Sequence, residues 1–277
     1  TLAAVVGPGL PAGAGAEARS RVVLIRHADV LGREGQIHAE TLQTMLDEAV
    51  RALLEEKEIL LAWRKLVRAQ DVVGIKSNVW GNLPTPRELE GAIRRRLLDL
   101  GVAEQNISVD DRGVLGNPVF RKSTALINVR PLRTHHWSGV GTCLKNYIMF
   151  VPDPSNYHEE GCSPLGKIWH LPMVKGKTRL NILSALTPQF YGRGAHFFDR
   201  RYVWPYRGLI VGTDPVAVDA VGAHLLKIKR TAFFGEDRSL DAPPVHIAVA
   251  DKKYKLGVSD LDRIQLVKLG WQDDILL

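Results

Sequence analysis

Three observations predict an α/β fold, with a mostly parallel sheet, flanking helices and a Rossmann-like arrangement. Short apolar runs recur at residues 21–27, 71–76, 107–110, 125–129, 180–186 and 209–212. Stripes of helical period lie between several of them. Two helix starts, at Thr85-Pro86 and Asp214-Pro215, carry a capping residue followed by proline. Strand and helix patterns in alternation imply a sheet buried between helices.

Residues 21–27 (RVVLIRH) read as a buried first strand. Apolar residues then fall at Leu42, Met45, Leu46, Ala49, Leu53 and Leu54, one face of a helix over 38–57. Residues 59–67 continue that helix or start another. Residues 71–76 (DVVGIK) form a second short strand that delivers Lys76, Ser77 and Asn78 at its carboxyl end. Thr85 is expected to cap the next helix, with Pro86 in its first position and Glu88 completing a capping box, and Gly101 stops it. Further strands follow at 107–110, 125–129, 180–186 and 209–212. Asp214 caps a last helix that Pro215 opens and that runs to about residue 229. The stretch 152–177 is rich in proline and glycine and reads as an irregular insertion or lid. No repeat or linker divides residues 21–277, so they are expected to form a single domain.

Composition narrows the function classes. A chain of 277 residues, 45% hydrophobic and 24% charged, is an ordinary globular protein. Its net charge of +7 is not concentrated in any Lys/Arg run interleaved with aromatics, which favours a small anionic ligand and argues against nucleic acid. No run is long and apolar enough for a membrane span. Two cysteines, Cys143 and Cys162, cannot hold an iron–sulfur cluster alone; they form one disulfide or remain two buried thiols. Residues 1–16 are uncharged, rich in Ala, Gly and Pro, and end in Ala14-Gly15-Ala16. Residues 1–20 therefore read as the remnant of an export signal, mildly hydrophobic as twin-arginine signals are, which implies a periplasmic location. The alternative is a flexible arm on a cytoplasmic protein.

Usable chemistry is densest at residues 128–146, where Arg130, Arg133, Thr134, His135, His136, Ser138, Thr142, Lys145 and Asn146 crowd together around Gly139 and Gly141. Lys76 and Asn78 end a strand at the sheet edge where α/β proteins collect ligands. An ammonium and an amide there suit a carboxylate or phosphate. Arg133 and Lys145 flank the histidines and should keep an imidazole neutral, fit to act as a base or a metal ligand. Adjacent histidines in an extended segment point to opposite sides, so His135 rather than both serves the site. Thr142 with the Gly139 and Gly141 amides can form an anion nest. A divalent metal stays open, with His135 and His158 as candidate ligands, although no H-E-x-x-H or H-x-H spacing supports it. Asp214 reads first as a helix cap. Asp219 lies in an apolar helix and needs a cationic partner, for which Lys76, Arg133 and Lys145 are the candidates. Gly192-Arg193-Gly194 marks a tight turn near the same place.

Four of these elements, in order, resemble the domain of unknown function 362 family: Lys76-Ser77-Asn78 before Thr85-Pro86, the segment from Asn128 to His135, Thr142 with Leu144-Lys145-Asn146, and the element from Asp214 to Asp219. Arg133 stands where the family has lysine. Ser184 and Ala195 stand where it often has aspartate and proline, which weighs against a metal or acid–base role shared with the family. Members often carry twin-arginine signals or ferredoxin-type modules, and the cysteines of the latter are missing here. The resemblance implies an α/β sheet and a site, not a reaction. The expectation is an exported protein, an enzyme of unassigned reaction, that binds a small anion through Lys76, Asn78, Arg133, Thr134, Thr142, Lys145, Asn146, Asp214 and Asp219, with His135 as base. The alternative is a non-catalytic accessory subunit of an exported redox complex, meeting a protein partner through the aromatic segment 187–207.

Overall fold

A computed structural model describes residues 20–194 and 197–277. The expected export segment at 1–16, along with Ala195 and His196, falls outside the described residues. The strands are β1 Ser20–Arg26, β2 Val73–Lys76, β3 Ile107–Asp110, β4 Ala125–His135, β5 Gly139–Gly141, β6 Thr178–Gln189, β7 Gly208–Gly212 and β8 Ile264–Gly270. The helices are α1 Ala39–Leu54, α2 Ile59–Leu66, α3 Arg87–Asp99, α4 Pro118–Lys122, α5 Cys143–Asn146, α6 Glu159–Cys162, α7 Pro215–Phe234 and α8 Val245–Lys252.

The strands form one mixed sheet in the order β3-β2-β4-β6-β7-β1-β8, with β5 paired to β4. Along that path only β7 runs against its neighbours, so the sheet is mostly parallel as the alternation predicts. One face packs Val23, Ile25, Ile75, Ile127, Val129 and Ile182 against α1, α2 and α3. The other packs Leu24, Leu126, Leu132, Leu183 and Ile210 against α5, α7, α8 and the segment 152–177. Burial of both faces explains why the strands read as apolar runs.

Two element boundaries move. Glu55 adopts a left-handed conformation (φ 51) after α1, so residues 59–66 form a separate helix. Strand β4 extends six residues past the expected end at Val129, because its later polar residues are buried within the sheet instead of looping out. Segment 152–177 is no free lid. Leu165, Ile168, Trp169 and Val174 are buried in the core, and Trp169 stacks on Tyr147 at 4.4 Å. Asp214 caps α7 as expected, accepting from the amides of Val216 (2.8 Å) and Ala217 (3.0 Å).

Candidate functional site

Period-two alternation builds the floor of the site. On β2 and β4, Lys76, Asn128 and Arg130 face the same layer as Leu126 and Leu132, opposite to Ile75 and Ile127. The strand register sets Lys76 beside Asn128 and Asn128 beside Asn181, a lateral row of polar side chains across three strands. Asn128 Nδ2 donates to Asn181 Oδ1 (3.1 Å) and to the Cys143 carbonyl (3.0 Å). The chain leaves β2 toward β3 on one side and leaves β4 toward β6 on the other. Between β2 and β4 lies the topological switch point, where α/β sheets open a crevice beyond their carboxyl ends.

At that crevice Lys76 is completely buried and committed. Its Nζ donates to Asp111 Oδ1 (2.5 Å), to the Ser77 carbonyl (2.7 Å) and to Asn146 Oδ1 (3.4 Å). Burial pushes the ammonium down to about 8, against the pull of Asp111. Burial acts to raise the Asp111 carboxyl, but the Lys76 ammonium and the Val79 amide overcome it and hold the group low. Asn146 donates to Asn128 Oδ1 (2.8 Å), the Lys76 carbonyl (3.1 Å) and the Val129 carbonyl (3.2 Å), tying α5 to both strands. Asn78 Nδ2 donates to Asn146 Oδ1 (3.4 Å), and Asn78 Oδ1 accepts from Arg133 Nη2 (2.7 Å).

A cleft of about 310 Å³ opens over this network, lined by Asn78, Trp80, Asp111, Arg112, Arg130, His135, Trp137, Lys145, Asn146, Ile148, Met149, Pro154 and His158. Arg130 and Lys145 are 3% and 2% exposed. Arg130 donates one long hydrogen bond, to the Thr142 carbonyl (3.4 Å), while its Nε and the Nζ of Lys145 are buried without a hydrogen-bond partner among the described residues. Gly141 makes room for Arg130: a Cβ there would lie 3.0 Å from Nη2. Burial lowers Lys145 to about 8, and the Arg130 charge adds to the effect. The Cys162 thiol lies close enough to favour the ammonium without meeting hydrogen-bond geometry. Both cysteines are free and buried.

Burial, reinforced by these cations, lowers the nearby imidazoles. His135 is held far below its ordinary value, first by burial and then by Lys145, Arg130, His136 and Arg133. His158 falls to about 4, through burial and then Lys145. His246, on α8 and unforeseen in the sequence, falls to about 3 by burial with Lys145 and Arg130. The neutral imidazole expected at His135 is therefore present. The Trp137 amide donates to His135 Nδ1 (3.2 Å), which leaves the proton on Nε2. His135 and His136 do not diverge as expected: β4 ends at His135, and the two rings stack at 4.8 Å with an interplanar angle of 8°. Trp137 in turn packs against His158 at 4.1 Å, and the Arg112 guanidinium sits 4.3 Å over the Trp80 ring.

Several expected binders have their side chains engaged within the protein or lie away from the cleft lining. Arg133 donates to the Leu83 carbonyl and to Asn78, and Arg130 takes its place in the cleft, because a register shift between Pro131 and Arg133 breaks the alternation. Thr142 donates to Asp219 Oδ2 (2.7 Å), and Thr134 Oγ1 is buried without a hydrogen bond. Asp219 pairs with none of the three expected cations. It accepts from the Cys143 and Leu144 amides (2.8 Å each) as well as from Thr142, and burial raises it to about 7. Asp214 does not line the cleft; it is tied to Ser20 (2.5 Å) and the Val258 amide (2.9 Å) as well as to its own helix. Asp111 is a site residue that the sequence reading does not single out; it directly follows the expected strand 107–110. A carboxylate directly after a strand was its only signal.

His135 and His158 both line the cleft, but among the described residues no group of three or more His, Cys, Asp or Glu side chains is arranged to hold a metal ion. The surrounding ammonium and guanidinium charges oppose a cation further. No helix among the described residues is long and apolar enough to cross a membrane. In the aromatic segment 187–207, Phe190 and Tyr206 are buried, and Phe190, Tyr191 and Tyr202 pack against Phe233 and Phe234 of α7. Phe197 is exposed.

Residues 107–224 match the family model of the Domain of unknown function (DUF362). The match takes in β3, β4, α5, β6, β7 and the first half of α7, and so Arg130, His135, Lys145 and Asp219; Lys76 and Asn78 lie before it. Neither curated proteins nor solved structures gave a match.

Proposed function

We propose that this protein binds a small anionic molecule in the cleft over β2 and β4, as the first step of an enzymatic reaction. The observation that carries this reading is the pair of buried cations, Arg130 and Lys145, whose Nε and Nζ have no hydrogen-bond partner among the described residues. A buried cation without an anion is costly, so a site that holds two is suited to a ligand that supplies the charge. Of the described lining residues, Asp111 is the one carboxylate, and Lys76 neutralises it. The neutral His135, with its proton on Nε2, adds a donor without adding charge. Asn78 and Asn146 are held from behind by Arg133 and Asn128 and can orient polar atoms of the ligand.

Titration of the protein with inorganic phosphate, sulfate, acetate and succinate, read by calorimetry, tests this. At least one anion is expected to bind, and Arg130→Ala and Lys145→Ala should each weaken it by roughly 10–100-fold, the worth of one charge-assisted hydrogen bond. Binding of none of these anions, or unchanged affinity in both variants, would overturn the reading.

A further inference from the structure

The cleft contains a nucleophile that anion binding alone does not require. Lys145 lies in α5, a single turn anchored by Asp219 below and Asn146 beside it, so its backbone is fixed. Its Nζ makes no hydrogen bond, although polar groups surround it. Nearby Lys76 shows the contrast: equally buried, it spends its ammonium on a carboxylate and a carbonyl. The groups that bear on Lys145 are Arg130 and His135 from β4, His158 and Cys162 from the 152–177 segment, and His246 from α8. Among these, one is a cation, three are neutral imidazoles and one is a thiol that burial keeps protonated. None is a carboxylate, and Asp219 beneath the helix spends its oxygens on Thr142, Cys143 and Leu144. An amine placed this way, unpaired and next to a second cation, has a lone pair available near neutral pH.

We propose that Lys145 condenses with the carbonyl carbon of a small keto acid, Arg130 holding the acid's carboxylate and His135 donating from Nε2 to the carbonyl oxygen. This rests on the anion-binding reading and specifies its ligand. The second cation selects a carboxylate-bearing carbonyl compound over a neutral aldehyde. In the reaction the neutral amine nitrogen bonds to the carbonyl carbon, and the carbonyl π pair moves to oxygen. That oxygen takes the proton released by nitrogen. It then leaves as water with one further proton from solvent, and a protonated imine remains on Lys145. No oxidant or metal enters the balance. With Lys145 at about 8, the fraction present as free amine at pH 8 is on the order of a hundredfold above that of an ordinary lysine.

The test is reductive trapping. The full chain is incubated at pH 7.5–8 with pyruvate or 2-oxoglutarate and sodium cyanoborohydride, then digested and mapped by mass spectrometry. The expected product is a single secondary amine at Lys145, heavier by the mass of the keto acid less one oxygen atom. It should be absent in Lys145→Arg, which keeps the charge, and suppressed by excess of an anion without a carbonyl, such as succinate. Circular dichroism of the variant confirms that it folds. Modification spread evenly over surface lysines, or no modification at all, overturns the proposal. If succinate still binds in an Arg130-dependent way in that case, the imine is refuted and the anion site stands; if neither event occurs, both readings fall.

Discussion

The ε-amino group of Lys145 has left water without gaining a hydrogen bond, and that exchange acts against the folded state. Its folded value of about 8 lies below the ordinary 10.5, so between these values the native protein binds fewer protons than the unfolded chain and gains stability as pH rises. Below about 8 the penalty is present in full. Methionine has a similar length and no charge. Lys145→Met is therefore expected to unfold at higher urea concentration than the parent at pH 7, by about 1–3 kcal/mol, with the gap closing toward pH 10.5. Urea unfolding curves at pH 7 and pH 10 check this, and a variant less stable than the parent at pH 7 would mean that the ammonium is well solvated after all. Asp219 shows the other outcome of burial. It too is shifted by loss of water, but three donors hold it, and its role is to fix α5 instead of meeting a ligand.

At the scale of elements, most of the secondary structure was legible from apolar periodicity, and the misreadings share one cause. Periodicity reports burial only where buried residues are apolar. Arg130 and Arg133 look like loop residues, so β4 seemed to stop at Val129, and the position of Arg130 on the sheet, facing the cleft, was hidden. Lys145 and Asn146 were legible because the apolar residues after them draw α5 inward. Asp111 and His246 were not, since nothing in their neighbours' spacing announces a shared cavity. Thr85 was misread for a different reason. The Thr-Pro pair does precede α3, but Pro86 takes the cap position, and the Thr85 hydroxyl turns to accept from the buried Asn78 amide (3.0 Å) and donate to the Val129 carbonyl (3.4 Å). It ties the β2–α3 connection to β4 and so sets Asn78 in the cleft. Thr85→Val is expected to destabilise the fold by about 1–3 kcal/mol through the unsatisfied amide. Thr85→Asp, a good cap, should not rescue it. Denaturant unfolding of both variants decides, and full rescue by aspartate would restore the capping role.

For the molecule as a whole, the sheet order explains why one site draws on residues from Asn78 to His158. Carboxyl ends of parallel strands gather at the switch point between β2 and β4, and β3 adds Asp111 from the side. The family match begins only at residue 107, so the partners of the cleft's floor on β2 come from outside the matched region. The far half of the sheet has another consequence. Strand β1, the first of the described strands, is completed on one side by β7 and on the other by β8, whose register pairs Ser20 with Ile264. Pairings so remote in sequence carry a high loop-closure cost and slow the search for the native state. Assembly of this sheet must wait until β8 has emerged from the ribosome. Refolding from denaturant, followed by tryptophan fluorescence, is accordingly expected to finish in roughly seconds or longer, not in the milliseconds typical of chains with local contacts. Complete recovery within milliseconds would show that β1 and β8 dock after the signal is already native. Order of synthesis and order of assembly thus run in opposite senses here: of the described strands, the one made first is the one whose partners arrive last.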